Sequence, residues 1–380
     1  MKILIAGGGT GGHVFPGIAV AEELRDHHPG VEVVFVGGKR GLEAQAVPEA
    51  GFRLRTLATS GFARRRPWRW PWAALVNTFG FFQALWIVMS ERPKAVLGTG
   101  GYVSGPVSVA ARLLGTPLLL QEQNSIPGLT NRWLARIASE VHLSFLEARS
   151  HFPKRDHLKV TGNPVRGYIL SGEREQARRE FKLDGTRPTL FIFGGSLGAK
   201  RINAAALDAL RRLKGRFEVQ CILQTGREDH DAVAAAVASE QLPATVLPFV
   251  KKMHLAYAAA DLVVCRAGAM TLAEIAVCGR PSILIPYPYA AHDHQRVNAA
   301  NLADRGAAVM IDESELTGER LAQEIAHLLS DRQLLSRMST NARLFARPAA
   351  AARLARSLVS WAEGHHGREA ADEPVEEGHV

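Results

Sequence analysis

Cysteine is scarce: Cys221, Cys265 and Cys278 are the three in 380 residues. An odd number at long spacing supports neither a disulfide framework nor a zinc motif, and it fits a reducing compartment. The N-terminal apolar run is far too short for the core of a signal peptide. It meets a glycine loop, MKILIAGGGTGG, where a cleavage site would stand. It reads as the first strand of the fold, and a cytoplasmic location is expected. GxxxxGK[ST] does not occur, which argues against a P-loop nucleotidase. His292 and His294 form an HxH pair without a third ligand at zinc spacing, so a substrate-lining or solvent role is expected there.

Hydrophobic residues at 47% with 22% charged residues describe a globular chain. Its length predicts two domains. The formal charge of +9 implies an anionic partner, which charge alone leaves open among nucleic acid, a phosphorylated substrate and an acidic membrane surface. The 35 glycines are concentrated in tight clusters.

Short apolar runs alternate with helix-like stretches, the pattern of βαβ units and parallel sheets. The first series of strands is expected at Lys2–Ala6, Glu32–Val36, Ala95–Leu97, Pro117–Leu120, Val141–Leu143 and Leu158–Val160. A second runs through Thr189–Phe193, Val219–Gln224, Thr245–Pro248, Leu262–Cys265 and Ser282–Ile285. KILIAGGGTGGH opens one series and TLFIFGGSLGAK the other, an internal pseudo-repeat with a junction near GNPVR at Gly162–Arg166. The expected domains are 1–163 and 164–344, with a C-terminal helix at about 345–363 returning to the first and a disordered tail at 364–380.

Gly7, Gly9 and Gly12 satisfy GxGxxG after a strand, which by itself is a weak signal for a dinucleotide. The second strand ends Val36-Gly37-Gly38-Lys39-Arg40, without the acid that would hold a ribose, which disfavours NAD. NADP stays open through Lys39 or Arg40, as does a tight turn with no ligand. GTGGYVSGP at Gly98–Pro106, GGSLGAK at Gly194–Lys200 and CRAGAMTLAE at Cys265–Glu274 add glycine turns in both halves. Such turns let backbone approach an anion, and helix N-termini offer N–H groups to it. Glycine loops in both halves suggest two anionic ligands across a cleft, whereas a dehydrogenase needs one.

GGTGGH, GGYVSGP, EQN, GNPVR, GGS.GA and RAGA.T..E, in this order and spacing, resemble the MurG family of N-acetylglucosaminyltransferases over Met1 to Trp361. The resemblance implies an α/β GT-B fold, two Rossmann-like domains with parallel sheets facing across a cleft. It also implies a reaction: inverting transfer of N-acetylglucosamine from UDP-GlcNAc to the C4 hydroxyl of undecaprenyl-diphosphate-linked MurNAc-pentapeptide. No cofactor beyond the donor substrate and no metal site are implied. By the same resemblance Thr10, Gly11 and Gly12 lie near the donor sugar and diphosphate, and Asn124 contacts the sugar. Arg166 and Ser196 meet the nucleotide, and Val250 reads uracil through its backbone. Ala269, Met270, Thr271, Leu272, Ala273 and Glu274 hold diphosphate and ribose, and Gln295 bonds the sugar. Gly9, Gly100, Gly101, Tyr102 and Ser104 are assigned to the acceptor diphosphate. Gln121, Leu197 and Ala267 stand where many relatives have His, Gln and Ser, which puts a proton relay at Gln121 in doubt.

An inverting transfer needs a base for the acceptor hydroxyl. His13 is the candidate, the alternative being that it orients the loop or bonds a diphosphate. Glu122 is a second catalytic candidate, or a buried structural carboxylate. Glu274 is read as a ribose ligand, with a dipole-favoured helix acid as its alternative. Within Phe62–Met89, Arg64, Arg65, Arg66 and Arg69 accompany Trp68, Trp70, Trp72, Phe79, Phe81, Phe82 and Trp86. That stretch is expected to bury one face and touch an anionic inner leaflet with the other, as a peripheral protein does. The rival readings are an NADP-dependent oxidoreductase, a nucleotide- or nucleic-acid-binding module without a recognised motif, and a GT-B transferase with another acceptor.

Overall fold

The computed structural model describes residues 1–59, 70–153 and 156–365, apart from the side chains of Trp70 and Ala73. Two compact units result: residues 1–166 with the C-terminal segment from Arg347, and Gly167–Ala346.

The first unit carries β1 (Lys2–Gly7), α1 (Gly11–His27), β2 (Glu32–Gly38), α2 (Glu43–Glu49), β3 (Arg53–Leu57), α3 (Trp70–Glu91), β4 (Ala95–Gly100) and α4 (Gly101–Leu113). It continues with β5 (Leu118–Glu122), α5 (Leu129–Leu134), β6 (Glu140–Leu143) and β7 (Leu158–Val160). All seven strands are parallel, in the order β3-β2-β1-β4-β5-β6-β7. The alternation of side chains explains why β1 is apolar at every position. Ile3 and Ile5 pack with Val14 and Ile18 of α1 on one face, while Leu4 and Ala6 pack with Ile87 and Val107 on the other.

The second unit begins with α6 (Arg174–Phe181), β8 (Thr189–Phe193), α7 (Lys200–Leu213), β9 (Gln220–Gln224), α8 (His230–Ser239) and β10 (Ala244–Leu247). It goes on through α9 (Met253–Ala259), β11 (Leu262–Cys265), α10 (Ala269–Cys278), β12 (Ser282–Leu284), α11 (His294–Ala303) and β13 (Ala308–Met310). α12 (Gly318–Ser330) and α13 (Arg332–Leu344) complete it. Its sheet runs β10-β9-β8-β11-β12-β13. Counted from each unit's first strand, both sheets share the order 3-2-1-4-5-6, to which the first adds a seventh strand at its edge, so the pseudo-repeat seen in the glycine loops extends to the topology. β3 and β13 are strands that apolar patterning missed. β3 is an edge strand with Arg53 exposed, and β13 is three residues long.

α14 (Ala350–Glu363) packs on α1. Leu354 and Leu358 are fully buried there, each stabilising by about 1.5–3 kcal/mol. A polar clamp adds direction. Glu140 of β6 accepts from Ser357 Oγ at 2.8 Å and Trp361 Nε1 at 3.0 Å, with Lys159 Nζ at 3.0 Å and His142 Nε2 at 2.7 Å. Burial raises the Glu140 carboxyl, but these partners, His142 foremost, outweigh it and hold it far below the usual carboxylate range.

α3 buries Ala84, Ile87 and Val88, and Gly80 meets the chain after β3 so closely that a Cβ would lie 2.0 Å from the Ala58 carbonyl oxygen. Its outer face carries Trp72, Leu75, Phe79, Phe82, Trp86 and Met89, all at least half exposed and spaced alternately by three and four residues. Among the described residues no helix is long and apolar enough to cross a membrane. The arginines at 64, 65, 66 and 69, with Trp68, lie outside the described residues, as does the expected tail beyond residue 365.

Candidate active site

In the first unit two glycine turns meet between β1 and β4, the pair of strands at which the chain order reverses. Ligands of open parallel sheets collect at the carboxyl ends of such strands. Gly7 pairs with Gly100 across them. Gly100 (φ 107°) and Gly101 (φ 80°) open α4 in a backbone region closed to most side chains. A Cβ on Gly101 would stand 2.3 Å from the Gly8 carbonyl oxygen, and one on Gly100 would stand 2.7 Å from the His13 ring.

His13 therefore lies over the second glycine turn while belonging to the helix that follows the first. Its Nδ1 is 3.3 Å from both the Gly8 carbonyl oxygen and Thr10 Oγ1, and Thr99 Oγ1 donates to its main-chain oxygen at 2.7 Å. With its proton on Nδ1, donated to the Gly8 carbonyl, the ring would carry its lone pair on Nε2, the tautomer a general base requires. Thr10 is exposed and Gly11, Gly12 and His13 are half-buried, so the start of α1 is open to a ligand.

Three expectations for this unit need correction. The resemblance assigns Gly9 to a diphosphate, but its N–H donates to Glu43 Oε2 at 2.9 Å and is not available for that. Ser104 is fully buried beneath β4, its Oγ 2.7 Å from the position of a Cβ on Gly98, and it cannot reach an acceptor. Glu122 is 1% exposed and holds the following loop from below. It accepts from the Asn124 N–H at 3.0 Å, the Gly128 N–H at 3.3 Å and Asn131 Nδ2 at 2.8 Å. Burial pushes its carboxyl up, against the pull of those donors. Glu122 thus fits the second of its two readings, a buried carboxylate that holds Asn124 and the loop after it. Tyr102, in contrast, is 63% exposed at the start of α4.

Glu43 is a functional support that sequence reasoning missed. It is 2% exposed and accepts from Gly9 N–H and Gly38 N–H, at 2.9 and 2.8 Å. Cβ atoms at Gly8, Gly37 and Gly41 would fall within 2.1–2.6 Å of its side chain. Gly37 near the end of β2, Gly41 after it and Gly8 in the first loop thus make room for a carboxylate that ties that loop in place. Gln121 is fully buried, its Nε2 bonded to Ser144 Oγ and Asn163 Oδ1 at 3.0 and 3.2 Å. Arg166 sits in this unit with its guanidinium 4.8 Å from the Phe15 ring centre.

In the second unit the loop between β8 and α7 carries Ser196 and Leu197, both exposed. Gln224, buried at the end of β9, links two predicted elements. Its Nε2 donates to the Gly195 carbonyl at 2.9 Å, and its Oε1 accepts from Val250 N–H at 2.8 Å. Backbone reading of a base by Val250 therefore cannot use its N–H. Gly268 precedes α10, whose first residues, Ala269, Met270 and Thr271, have no carbonyl one turn back to receive their N–H groups. The Ala269, Met270 and Leu272 side chains are buried; Thr271, Ala273 and Glu274 are half-buried. Glu274 Oε2 accepts from the buried Tyr257 hydroxyl at 2.9 Å. Arg266 ties the entry to this helix to the Ile285 and Pro286 carbonyls, at 3.2 and 3.1 Å, and pairs with Glu313. Gln295, half-buried on α11, accepts from Tyr287 N–H at 2.9 Å, which leaves its amide nitrogen as the end for a ligand. Among the described residues no three His, Cys, Asp or Glu side chains cluster as metal ligands would.

Two Rossmann-like units, each with a glycine loop after its first strand and a further glycine turn after its fourth, define a two-domain α/β protein of the GT-B type. Residues 3–143 match the glycosyltransferase family 28 N-terminal domain, and residues 189–354 match the family's C-terminal domain. The chain belongs to glycosyltransferase family 28. It is 47% identical over 364 residues to the UDP-N-acetylglucosamine–N-acetylmuramyl-(pentapeptide) pyrophosphoryl-undecaprenol N-acetylglucosamine transferase of Chlorobaculum parvum, covering 95% of this chain and 99% of the relative. The protein of that name from Myxococcus xanthus is 45% identical over 378 residues, covering 97% and 96%. Among solved structures, Acinetobacter baumannii MurG aligns with a TM-score of 0.74 at 34% identity, over 94% of this chain and 99% of that one.

Proposed function

We propose that the protein transfers N-acetylglucosamine from UDP-GlcNAc to the C4 hydroxyl of undecaprenyl-diphosphate-linked MurNAc-pentapeptide, with inversion at the anomeric carbon. The observation that carries this reading is the relationship along nearly the whole chain, at 45–47% identity, to transferases of that name. His13 Nε2 takes the proton of the acceptor hydroxyl as its oxygen bonds to the anomeric carbon. The bond from that carbon to the UDP oxygen breaks, and UDP leaves with the electron pair. General-base assistance of this kind contributes about 10²–10⁴-fold. The N–H groups at the start of α10 meet the negative charge that develops on UDP. Glu122 fixes Asn124 toward the sugar, and Thr10 with the start of α1 lines the donor and acceptor phosphates.

The acceptor is a lipid, and the apolar stripe on α3 is the surface that meets its membrane. Six large side chains on one helical face, with the Arg55 guanidinium 5.1 Å from the Trp86 ring centre, suit the cytoplasmic leaflet of an anionic bilayer. The enzyme thus works as a peripheral protein.

UDP release from UDP-GlcNAc, with and without a short-chain lipid-linked MurNAc-pentapeptide, tests the function. Release that requires the acceptor supports it. Binding of UDP with no acceptor-dependent release would redirect the search to another acceptor.

A further inference from the structure

Tyr257 heads the fully buried side chains by volume among the described residues. Its ring meets Phe191 and Phe193 edge-on, at 5.6 and 6.3 Å between centroids, deep against β8. Its hydroxyl does not end on a backbone carbonyl, as a purely structural buried phenol could. It donates at 2.9 Å to Oε2 of Glu274, a half-buried carboxylate on the helix that opens with Gly268. Burial first, and the Glu274 charge second, push the Tyr257 phenol well above its usual value. The group stays a hydrogen-bond donor through the whole working pH range.

We infer that Tyr257 is a positioning residue that holds the Glu274 carboxylate toward the ribose hydroxyls of the donor nucleotide, and so sets the preference for ribonucleotide over 2′-deoxyribonucleotide. This rests on the reading of Glu274 as the ribose ligand. A glutamate has three side-chain torsions, and without a fixed partner its carboxylate samples several directions. A charged hydrogen bond from a rigid, buried ring restricts that freedom by fixing one carboxylate oxygen. A site built to pair a hydroxyl rejects an analogue lacking it, because the site's own polar group is then left unpaired. The strength of that rejection depends on how firmly the group is held.

The test is calorimetric titration of the full chain with UDP and with 2′-deoxy-UDP. Wild type is expected to favour UDP by about tenfold or more, the range of one hydrogen bond to a charged group. Tyr257→Phe keeps the ring and deletes the donor. It should weaken UDP several-fold, leave 2′-deoxy-UDP within about twofold, and so collapse the ratio. Equal weakening of both ligands, with the ratio preserved, would mean that Tyr257 only supports the fold and would overturn the inference. Glu274→Ala separates this from the reading beneath it. A wild-type ratio in that variant removes Glu274 from the ribose altogether. A collapsed ratio there, with an intact one in Tyr257→Phe, overturns the positioning role alone. Should Tyr257→Phe not fold, Glu274→Asp, whose carboxylate is one methylene too short to hold Tyr257 and the ribose together, must also collapse the ratio. A preserved ratio there contradicts the proposal.

Discussion

Replacing Gly101 by alanine should damage the protein far more than the same change at Gly9, although both glycines have positive φ. Gly9 stands at φ 90° with nothing within 4 Å of the point a methyl group would occupy, so Gly9→Ala costs the backbone strain alone, about 1–2 kcal/mol. Gly101 at φ 80° bears the same strain, but its Cβ would stand 2.3 Å from the Gly8 carbonyl oxygen and 3.2 Å from the Gly8 carbonyl carbon. Real contacts of a Cβ essentially never fall under 3.0 Å, so one backbone segment must move by more than half an ångström. Neither is free to do so. Gly7 is paired with Gly100, and Glu43 ties down Gly9. Overpacking of this kind costs about 1–3 kcal/mol, which brings Gly101→Ala to roughly 2–5 kcal/mol in all. For a unit of this size that is a fall in Tm of roughly 5–15 °C. Urea denaturation and thermal melts of the two variants measure the difference, and turnover should fall with Gly101→Ala as the two loops part. Equal stability of the two variants would refute the claim that these loops are in direct backbone contact.

Four further outcomes are expected. His13→Ala should lower turnover by about 10²–10⁴-fold while UDP affinity, measured by titration, stays within about twofold; near-normal turnover removes it as the base. Glu43→Gln replaces one of two carboxylate acceptors by an NH₂ group facing a backbone N–H, so denaturation should show a loss of about 1–3 kcal/mol, and unchanged stability would discount the tether. Glu140, held below its ordinary value of 4.5, contributes stability that is present above that pH and lost as pH falls toward its folded pKa. Melts across the acid range should therefore show Glu140→Gln less stable than wild type at pH 7, with the gap closing on acidification; a constant gap contradicts the clamp. Trp72→Ser with Phe79→Ser should reduce co-sedimentation with anionic liposomes, and wild-type binding should fall with salt; undiminished binding would place the membrane contact elsewhere.

Much of the plan was legible because parallel strands buried on both faces leave an unbroken apolar mark. KILIA and TLFIF each run into a glycine loop, and both proved to be interior strands of sheets that share the order of their first six strands. β3 escaped notice because Arg53 and Arg55 break its apolar pattern; both instead pair with Glu91 at the end of α3. Depth was the quantity that spacing could not supply. Ser104 and Tyr102 are two residues apart in one motif, yet one is fully buried and the other 63% exposed. Glu122 carries the residue type of an acid–base catalyst, but both of its oxygens are turned to the chain that follows. Glu43, Gln224 and Tyr257 act through groups distant in sequence, so no local motif marks them. Glu43 left an indirect trace in the glycines around it, since Gly37 and Gly41 are small where a carboxylate must fit.

The measurement closest to the central claim is the structure of the product formed from UDP-GlcNAc and the lipid-linked MurNAc-pentapeptide, by mass spectrometry and NMR of the released sugar. One added N-acetylhexosamine is expected, joined to C4 of the MurNAc residue in the β configuration that inversion of an α-linked donor produces. An α linkage, attachment at another position, or a lipid recovered without added sugar would contradict it.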